Sequence, residues 1–155
     1  SDHFYGIRSA LNPMNTKSPR VSVSRHAHFN AAHRLYVKSW SDEQNASQFG
    51  ACANPKYHGH NYELIVRLTG PVDPVTGYVF DLGRLSDLIK SEVEARLDHR
   101  NLNEEVAEFY NCVPSAENIS VVIWNWLRPH LPAGLGLHVT LYETPRNFVE
   151  YDGAE

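Results

Sequence analysis

The amino-acid sequence predicts an α+β domain in which a four-stranded antiparallel sheet packs two helices on one face, in the order ββααββ. Two stretches near the start alternate apolar and polar residues, as half-buried strands do. Two stretches in the middle repeat apolar residues with the helical period of 3.6, and two short alternating stretches follow them. Because an open sheet leaves unpaired edges, we expect the chain to associate with further copies.

Length and composition are those of one compact domain. The chain has 155 residues, of which 42% are apolar, and we assign a single domain to residues 14–155. Residues 1–13 precede Met14, the only methionine, and show neither a strand nor a helix period. We interpret them as an expression leftover or a disordered extension.

Charge and cysteine content limit the partners and the cellular location that we expect for this protein. A formal net charge of −4 without a basic cluster provides no electrostatic footprint for nucleic acid. No stretch reaches the roughly 18 apolar residues of a membrane helix, and no secretory signal pattern is present, so we expect a soluble protein with no membrane partner. Cys52 and Cys112 are too few for a disulfide framework, which favours a cytoplasmic location.

The first predicted strand, residues 21–33, places a histidine at the end of an apolar row. Side chains alternate between faces along a strand, so every second residue shares a face. His26 and His28 lie on the opposite face, and we interpret them as solvated. The face that we expect to be buried carries Val21, Val23, Ala27, Phe29, Ala31 and His33, and only Arg25 interrupts it.

The second predicted strand, residues 58–68, begins with two histidines on one face. His58 and His60 precede the apolar row Tyr62, Leu64, Val66 and Leu68. A His-x-His pair alone is as consistent with a hydrogen-bonded structural pair as with a metal site. If the two strands pair antiparallel, however, the end of the first meets the start of the second, and His33 joins the pair. Three protein ligands leave the fourth tetrahedral position open, which is typical of catalytic zinc.

A polar connection of roughly twenty residues joins the two strands and carries Cys52. We see no period in residues 41–48, and a connection of this length in a compact domain is more often functional than idle. Cys52 alone could serve as a fourth zinc ligand, which would close the site and make it structural.

Two helices and two strands complete the predicted order. Asp81 caps a helix with apolar residues at helical spacing from Leu82 to Leu97, and Ser115 caps a second that carries Glu117 in its first turn. Two strands follow, residues 137–143 and 147–151. The apolar row of the first ends at an acid, Glu143, in the way that the earlier rows end at histidines.

Five segments in the same order resemble the 6-pyruvoyl-tetrahydropterin synthase family and its bacterial relatives. They are residues 29–35, 52–62, 98–102, 115–118 and 142–144. The resemblance implies the tunnelling fold, in which trimers join their sheets into a barrel and two trimers stack into a homo-hexamer. It also implies active sites that lie between subunits.

The resemblance also implies a role for each site residue. It makes the three histidines the ligands of Zn²⁺ and Cys52 the catalytic base. Asp98 and His99 would be the partners of that base, and Glu143 would anchor the pterin and act as a charged partner in the relay. Ser115 and Glu117 would lie near the pterin ring, although Ala116 stands where the family often has a hydroxyl residue.

The implied substrate is 7,8-dihydroneopterin triphosphate, which would lose triphosphate and become 6-pyruvoyl-tetrahydropterin. The main alternative is 6-carboxy-tetrahydropterin synthase of queuosine biosynthesis, whose members commonly have a shorter gap than the five residues between Cys52 and His58 here. A relative that cleaves dihydroneopterin places a glutamate in this gap, where this chain has no acid. A zinc-carrying pterin-binding module without turnover is a further alternative. Arg34, Lys38 and Lys56 are candidate contacts for the triphosphate, against the alternative of solvated surface charges.

Overall fold

A computed structural model describes residues 18–155, and the segment 1–13 lies outside the described residues. Five strands form one sheet in the order β3-β1-β2-β4-β5. The strands are β1 (Arg20–His33), β2 (His58–Pro71), β3 (Arg100–Asn101), β4 (Gly136–Tyr142) and β5 (Phe148–Tyr151). The α+β class and the four predicted strands are confirmed.

The prediction of a purely antiparallel, four-stranded sheet is wrong in one respect. β3 pairs parallel with β1, through Ala31 with Arg100 and Ala32 with Asn101, and makes the sheet mixed. Two residues are too few to show any alternation, so no sequence pattern could reveal this strand. The other neighbouring strands pair antiparallel.

The helices of the described residues pack mainly on one face of this sheet. They are α1 (Asp42–Phe49), α2 (82–97), α3 (Leu102–Glu105) and α4 (Ala116–Leu127). The sheet contributes Phe29, Ala31, Tyr62, Leu64, Val66, Leu68, Leu137, Val139 and Leu141 to the core, on the faces that the alternation predicted. α2 and α4 cover them with Leu85, Ile89, Val93, Leu97, Ile119, Ile123 and Leu127. The histidines at the ends of β1 and β2 therefore border a dry core.

The prediction of a buried row along all of β1 is wrong at its start, where Val21 is exposed and Val23 and Ala27 are only partly buried, because the helices cover mainly the later part of the strand.

Helix α2 contains a π-helical turn that its apolar spacing did not lead us to predict. It runs as an α-helix from Leu82 to Ile89, as a π-helix from Lys90 to Glu94, and again as an α-helix from Ala95 to Leu97. Its buried residues, Leu85, Ile89, Val93 and Leu97, are each four positions apart. Four-residue steps drift by about 40° each around an α-helix, or about 120° over three steps. The wider π turn offsets this drift and keeps the row against the sheet.

Helix α1 lies in the connection that we interpreted as having no period of its own. A capping box begins it: the Ser41 hydroxyl accepts from the Gln44 backbone N–H, and the Gln44 side chain accepts from the Ser41 N–H. Asn45 is its one buried residue, and its side-chain amide bonds to both backbone groups of Val37. A helix that buries an amide instead of apolar residues shows no hydrophobic period, but the Ser-x-x-Gln signal was present.

Across residues 18–155, none of the helices has the length and apolar character needed to cross a membrane.

Candidate metal centre and active site

Three histidines converge where β1 ends and β2 begins. In the antiparallel register, His33 pairs with His58 and Ala31 pairs with His60, so all three imidazoles point to the helix-covered face. One nitrogen from each ring lies within 4.8 Å of the others. Among the described residues, no other group of histidine, cysteine or acidic side chains is gathered in this way. The convergence that strand alternation predicted is what the structure shows.

The three Nε2 atoms have no hydrogen-bond partner within residues 18–155 and are shielded from solvent. The Nδ1 atom of His33 lies 2.8 Å from the carbonyl oxygen of Pro114, which has no proton to give, so Nδ1–H donates and the lone pair resides on Nε2. A buried lone pair without a partner is costly, and three that face one another are costlier. A divalent cation that accepts nitrogen donors, such as Zn²⁺, would bind all three lone pairs, so the three histidines fit a zinc site.

Burial favours the neutral imidazoles of His33 and His58, as metal binding requires. The pKa of His33 is lowered to about 4, first by removal from water and also by the neighbouring rings of His58 and His60, against the opposing effect of the Pro114 hydrogen bond. The pKa of His58 is also lowered, first by burial and then by His60. Both rings therefore present lone pairs at neutral pH.

We expect the metal-free protein to lose stability when the pH falls from about 6.5 to about 4. The unfolded chain protonates His33 near 6.5 and the folded chain near 4, so the unfolded state binds more protons in this window. Stability from this group is thus full above pH 6.5 and decreases below it, by on the order of 3 kcal/mol. Urea denaturation of chelator-treated protein at several pH values measures the slope. The variant His33→Asn should flatten the slope, and an equal slope in parent and variant would contradict the assignment to His33.

Tyr62 belongs to this centre, although strand alternation predicted only that it is a member of the apolar row. Its hydroxyl lies 3.3 Å from Nδ1 of His33. Burial raises its pKa, and the nearby Glu143 and Cys52 raise it further, so the phenol stays protonated. Its position two residues after His60, on the same face, was the available signal. The Tyr62 ring lies against those of His33 and His60, with ring centroids 6.1 and 5.6 Å apart.

Cys52 lies in a 3₁₀ turn, Gly50–Ala53, that directly follows α1. Its backbone carbonyl accepts a 2.8 Å hydrogen bond from the N–H of Leu35, which fixes the turn against the chain that leaves β1. The thiol is half-buried and free. Its sulfur is not part of the close group of three nitrogens. This geometry favours a thiol beside the centre over a fourth ligand within it.

Glu143 lies just beyond the end of β4, beside His60. One carboxylate oxygen is 3.8 Å from Nε2 of His60, too far for a hydrogen bond. The Glu143 N–H donates to the carbonyl of Asn147, which closes the turn into β5. The carboxylate borders a cavity of about 540 Å³ whose lining includes Asn61 and Tyr142. A group bound in this cavity would therefore meet both a carboxylate and the edge of the histidine centre.

Asp98 and His99 lie at the outer edge of β1, not within the histidine cluster. Asp98 accepts from the Asn30 N–H at 2.8 Å and contacts Nδ1 of His99 at 2.9 Å, and the His99 N–H donates to the Asn30 carbonyl at 2.6 Å. The Asn30 hydrogen bond is the main cause that lowers the pKa of Asp98, and the His99 contact adds to it. His99 has a φ of +60° and a side chain that is 82% exposed. The pair is thus held firmly, with the imidazole turned outward.

The start of α4 contacts the centre through its backbone. Ser115 is the N-cap, as predicted, and its hydroxyl accepts from the Asn118 N–H at 3.2 Å. Glu117 follows in the first turn and is exposed. Pro114, whose carbonyl holds His33, directly precedes the cap. Any group bound near the start of α4 would therefore lie close to the histidine centre.

The fold and this site define a class: an α+β domain that gathers three histidines at the end of a mixed sheet. The family model described as 6-pyruvoyl tetrahydropterin synthase matches residues 22–154. The chain therefore belongs to the 6-pyruvoyl tetrahydropterin synthase family, which confirms the resemblance and the prediction of a lyase.

Individual relatives agree with this membership. The 6-pyruvoyl tetrahydrobiopterin synthase of Pongo abelii is 44% identical over 134 residues, which cover 86% of this chain and 92% of that protein. The solved structure of Caenorhabditis elegans 6-pyruvoyl tetrahydropterin synthase is 38% identical, with a TM-score of 0.84 and coverage of 89% of this chain and 99% of that one. The 6-carboxy-5,6,7,8-tetrahydropterin synthase of Rickettsia conorii is 30% identical over 148 residues and covers 84% of this chain and 99% of its own length.

Proposed function

We propose that this chain uses Zn²⁺ to convert 7,8-dihydroneopterin triphosphate to 6-pyruvoyl-tetrahydropterin with loss of triphosphate. The observation that carries the proposal is the set of three partnerless Nε2 atoms, with the Glu143 carboxylate 3.8 Å from that of His60. The names of the more similar relatives support the pyruvoyl product. The donor set supports zinc.

Zinc would be held by Nε2 of His33, His58 and His60, and when bound it would acidify the C–H and O–H groups of a hydroxylated side chain lying against it. Cys52 would then remove the carbon proton as general base. This role needs the thiolate, which the positive charge of a bound Zn²⁺ nearby would stabilise. The half-buried position of the thiol keeps it accessible to a bound substrate.

Glu143 would anchor the pterin. A carboxylate presents two acceptor oxygens in a plane, which suits the amino group and ring N–H of a pterin. The adjoining cavity of about 540 Å³ is large enough for such a ring system. Ser115 and Glu117 would approach the pterin ring from the start of α4. Because the Ser115 hydroxyl already accepts the capping hydrogen bond, its hydrogen remains available to a ligand.

The three cations that are candidates for the triphosphate differ in their contacts. The Arg34 guanidinium donates to the carbonyl of Ala53 and stacks 3.9 Å over the Tyr36 ring. Lys38 donates to the carbonyl of Tyr110. These contacts support structural roles for Arg34 and Lys38. Lys56 is exposed in the turn before His58, and we propose it as the triphosphate contact of the three.

We further propose assembly into a hexamer of two stacked trimers, with active sites between subunits. Within residues 18–155, β3 pairs with Ala31 and Ala32 alone on the outer edge of β1, so the earlier part of this 14-residue strand has no strand partner there among the described residues. His99 points outward from the same edge, where a second copy could use it as the acid that returns a proton. Light scattering at native pH measures the assembly, and a single-chain mass would contradict the proposal.

A 6-carboxy-tetrahydropterin synthase of queuosine biosynthesis is the second candidate. It is favoured by the 30% identity to the Rickettsia conorii enzyme, over a similar share of this chain as the pyruvoyl relatives. The gap of five residues between Cys52 and His58 and the higher identity to animal relatives favour the pyruvoyl product. In either case we propose a cytoplasmic enzyme.

The test is product identification. Zinc-loaded protein is incubated with 7,8-dihydroneopterin triphosphate under reducing, anaerobic conditions, and the pterin products and triphosphate are separated by chromatography and identified by mass. The proposal expects 6-pyruvoyl-tetrahydropterin and one equivalent of triphosphate. A 6-carboxy product would establish the second candidate, and unchanged substrate would indicate a binding module.

A further inference from the structure

The residue directly before His58 has an unusual backbone conformation. Tyr57 has a φ of +66°, in the left-handed region that residues with a Cβ avoid. The turn is closed by two short-range hydrogen bonds, from the Tyr57 N–H to the Asn54 carbonyl at 3.1 Å and from the Lys56 N–H to the Asn54 side chain at 2.9 Å. Any relaxation of residue 57 would change the direction in which the chain enters β2 at His58.

The Tyr57 side chain is fastened to another element. Its hydroxyl donates to Oε1 of Glu104 at 2.9 Å. Partial burial and then this carboxylate raise the pKa of Tyr57, so the phenol remains a donor. Glu104 lies in α3, where its N–H and that of Asn103 donate to the capping side chain of Asn101. The backbone of the helix that carries the acceptor is therefore itself held in place.

α3 is in turn joined to the end of β1. The Asn103 side chain accepts from the Arg34 N–H at 2.8 Å and donates to the Arg34 carbonyl at 2.9 Å. Arg34 directly follows His33. The chain of contacts from Tyr57 through α3 to Arg34 thus connects the residue before one proposed ligand to the residue after another.

We propose that the Tyr57–Glu104 hydrogen bond is a latch that holds residue 57 in the left-handed conformation and presets His58 for metal binding. Tyr57 is then a positioning residue, and the inference rests on the proposed zinc site. Without the latch, the metal-free chain relaxes to unstrained conformations in which His58 is displaced. The apparent dissociation constant for zinc rises in proportion as the competent conformation becomes less populated.

The first test removes each half of the latch. We expect Tyr57→Phe and Glu104→Ala each to weaken zinc binding about five- to ten-fold, as the loss of one solvent-accessible hydrogen bond of typical strength predicts. The double variant should be no weaker than either single variant. Competition with a chromophoric chelator measures the affinities. Tyr78→Phe removes the hydroxyl of an exposed tyrosine in a distant loop and should bind zinc like the parent.

The second test separates strain from packing. Tyr57→Ala loses the latch and keeps the strain, so it should bind zinc at least as weakly as Tyr57→Phe. Tyr57→Gly also loses the latch, but glycine adopts the left-handed region without strain, and its affinity should stay within about three-fold of the parent. Equal affinities of the alanine and glycine variants, or parental affinity of Tyr57→Phe, would overturn the latch.

Hydrogen exchange of the metal-free proteins keeps this inference distinct from the zinc site itself. Amides 56–58 should exchange faster in Tyr57→Phe and Tyr57→Ala than in the parent and in Tyr78→Phe. If the parent binds no zinc, the proposed function fails, while faster exchange in these two variants still supports the latch. Unchanged exchange would refute it.

Discussion

Replacing Cys52 by alanine is expected to lower the turnover of dihydroneopterin triphosphate by about a thousand-fold and to leave zinc bound. A positioned general base contributes typically about 10² to 10⁴ in rate, and alanine cannot accept the carbon proton. The three Nε2 donors are untouched, because the Cys52 sulfur lies outside their group. Steady-state product formation, together with the metal content after gel filtration, measures both halves of this result.

Cys112→Ala is the matched control for the loss of a thiol. Cys112 is also free and half-buried, but it lies on the segment before α4 and has no proposed role, so turnover should remain parental. If Cys52→Ala loses zinc, Cys52 is a ligand and the site is closed. Parental turnover of Cys52→Ala would exclude Cys52 as the base.

Glu143→Gln should instead raise KM for the pterin substrate, because an amide cannot offer two acceptor oxygens to the pterin.

Strand alternation, together with an assumed antiparallel pairing, predicted the convergence of the three histidines. A period of two leaves only two choices of face, and the apolar rows of β1 and β2 decide which face is buried. Once that face is chosen, antiparallel pairing brings His33 opposite His58, as the register shows. The buried face of each strand therefore follows from the sequence of that strand alone. The pairing that joins them was an assumption, and the structure supports it.

The contacts that orient the centre were not predictable in the same way. The acceptor for His33 is a backbone carbonyl 81 residues away, on Pro114, and backbone groups leave no trace in the identity of a residue. The left-handed conformation of Tyr57 was also hidden, because sequence signals for positive φ come from glycine and asparagine. In the sequence, Glu104 is one charged residue in a polar stretch, and nothing there indicated its hydrogen bond with Tyr57.

The position of Asp98 and His99 is a further feature that the sequence alone could not predict. Their proposed role requires them to meet a substrate at the histidine centre, yet in one chain they are held at the outer edge of β1. Nothing in a single sequence specifies which residues of one copy face another copy. The resemblance supplied that expectation, and the exposed orientation of His99 is consistent with it.

Replacing His58 by alanine is expected to weaken zinc binding by more than about a hundred-fold. Loss of an outer-shell partner of a metal ligand typically costs about 10- to 100-fold in affinity, and loss of a ligand itself should exceed that range. His58 is the better choice for this test than the buried His33, because it is half-buried at the start of β2 and alanine leaves a smaller internal cavity there. Chelator competition measures the affinity, and circular dichroism checks the fold.

His26→Ala is the matched control, since His26 lies in β1 on the opposite, exposed face of the same sheet. Its zinc affinity should equal that of the parent. The ligand assignment also predicts that His58→Ala removes turnover together with zinc, whereas Cys52→Ala separates them. Tight zinc binding by His58→Ala would mean that the metal lies elsewhere, and the partnerless nitrogens of the other two histidines would then need a different explanation.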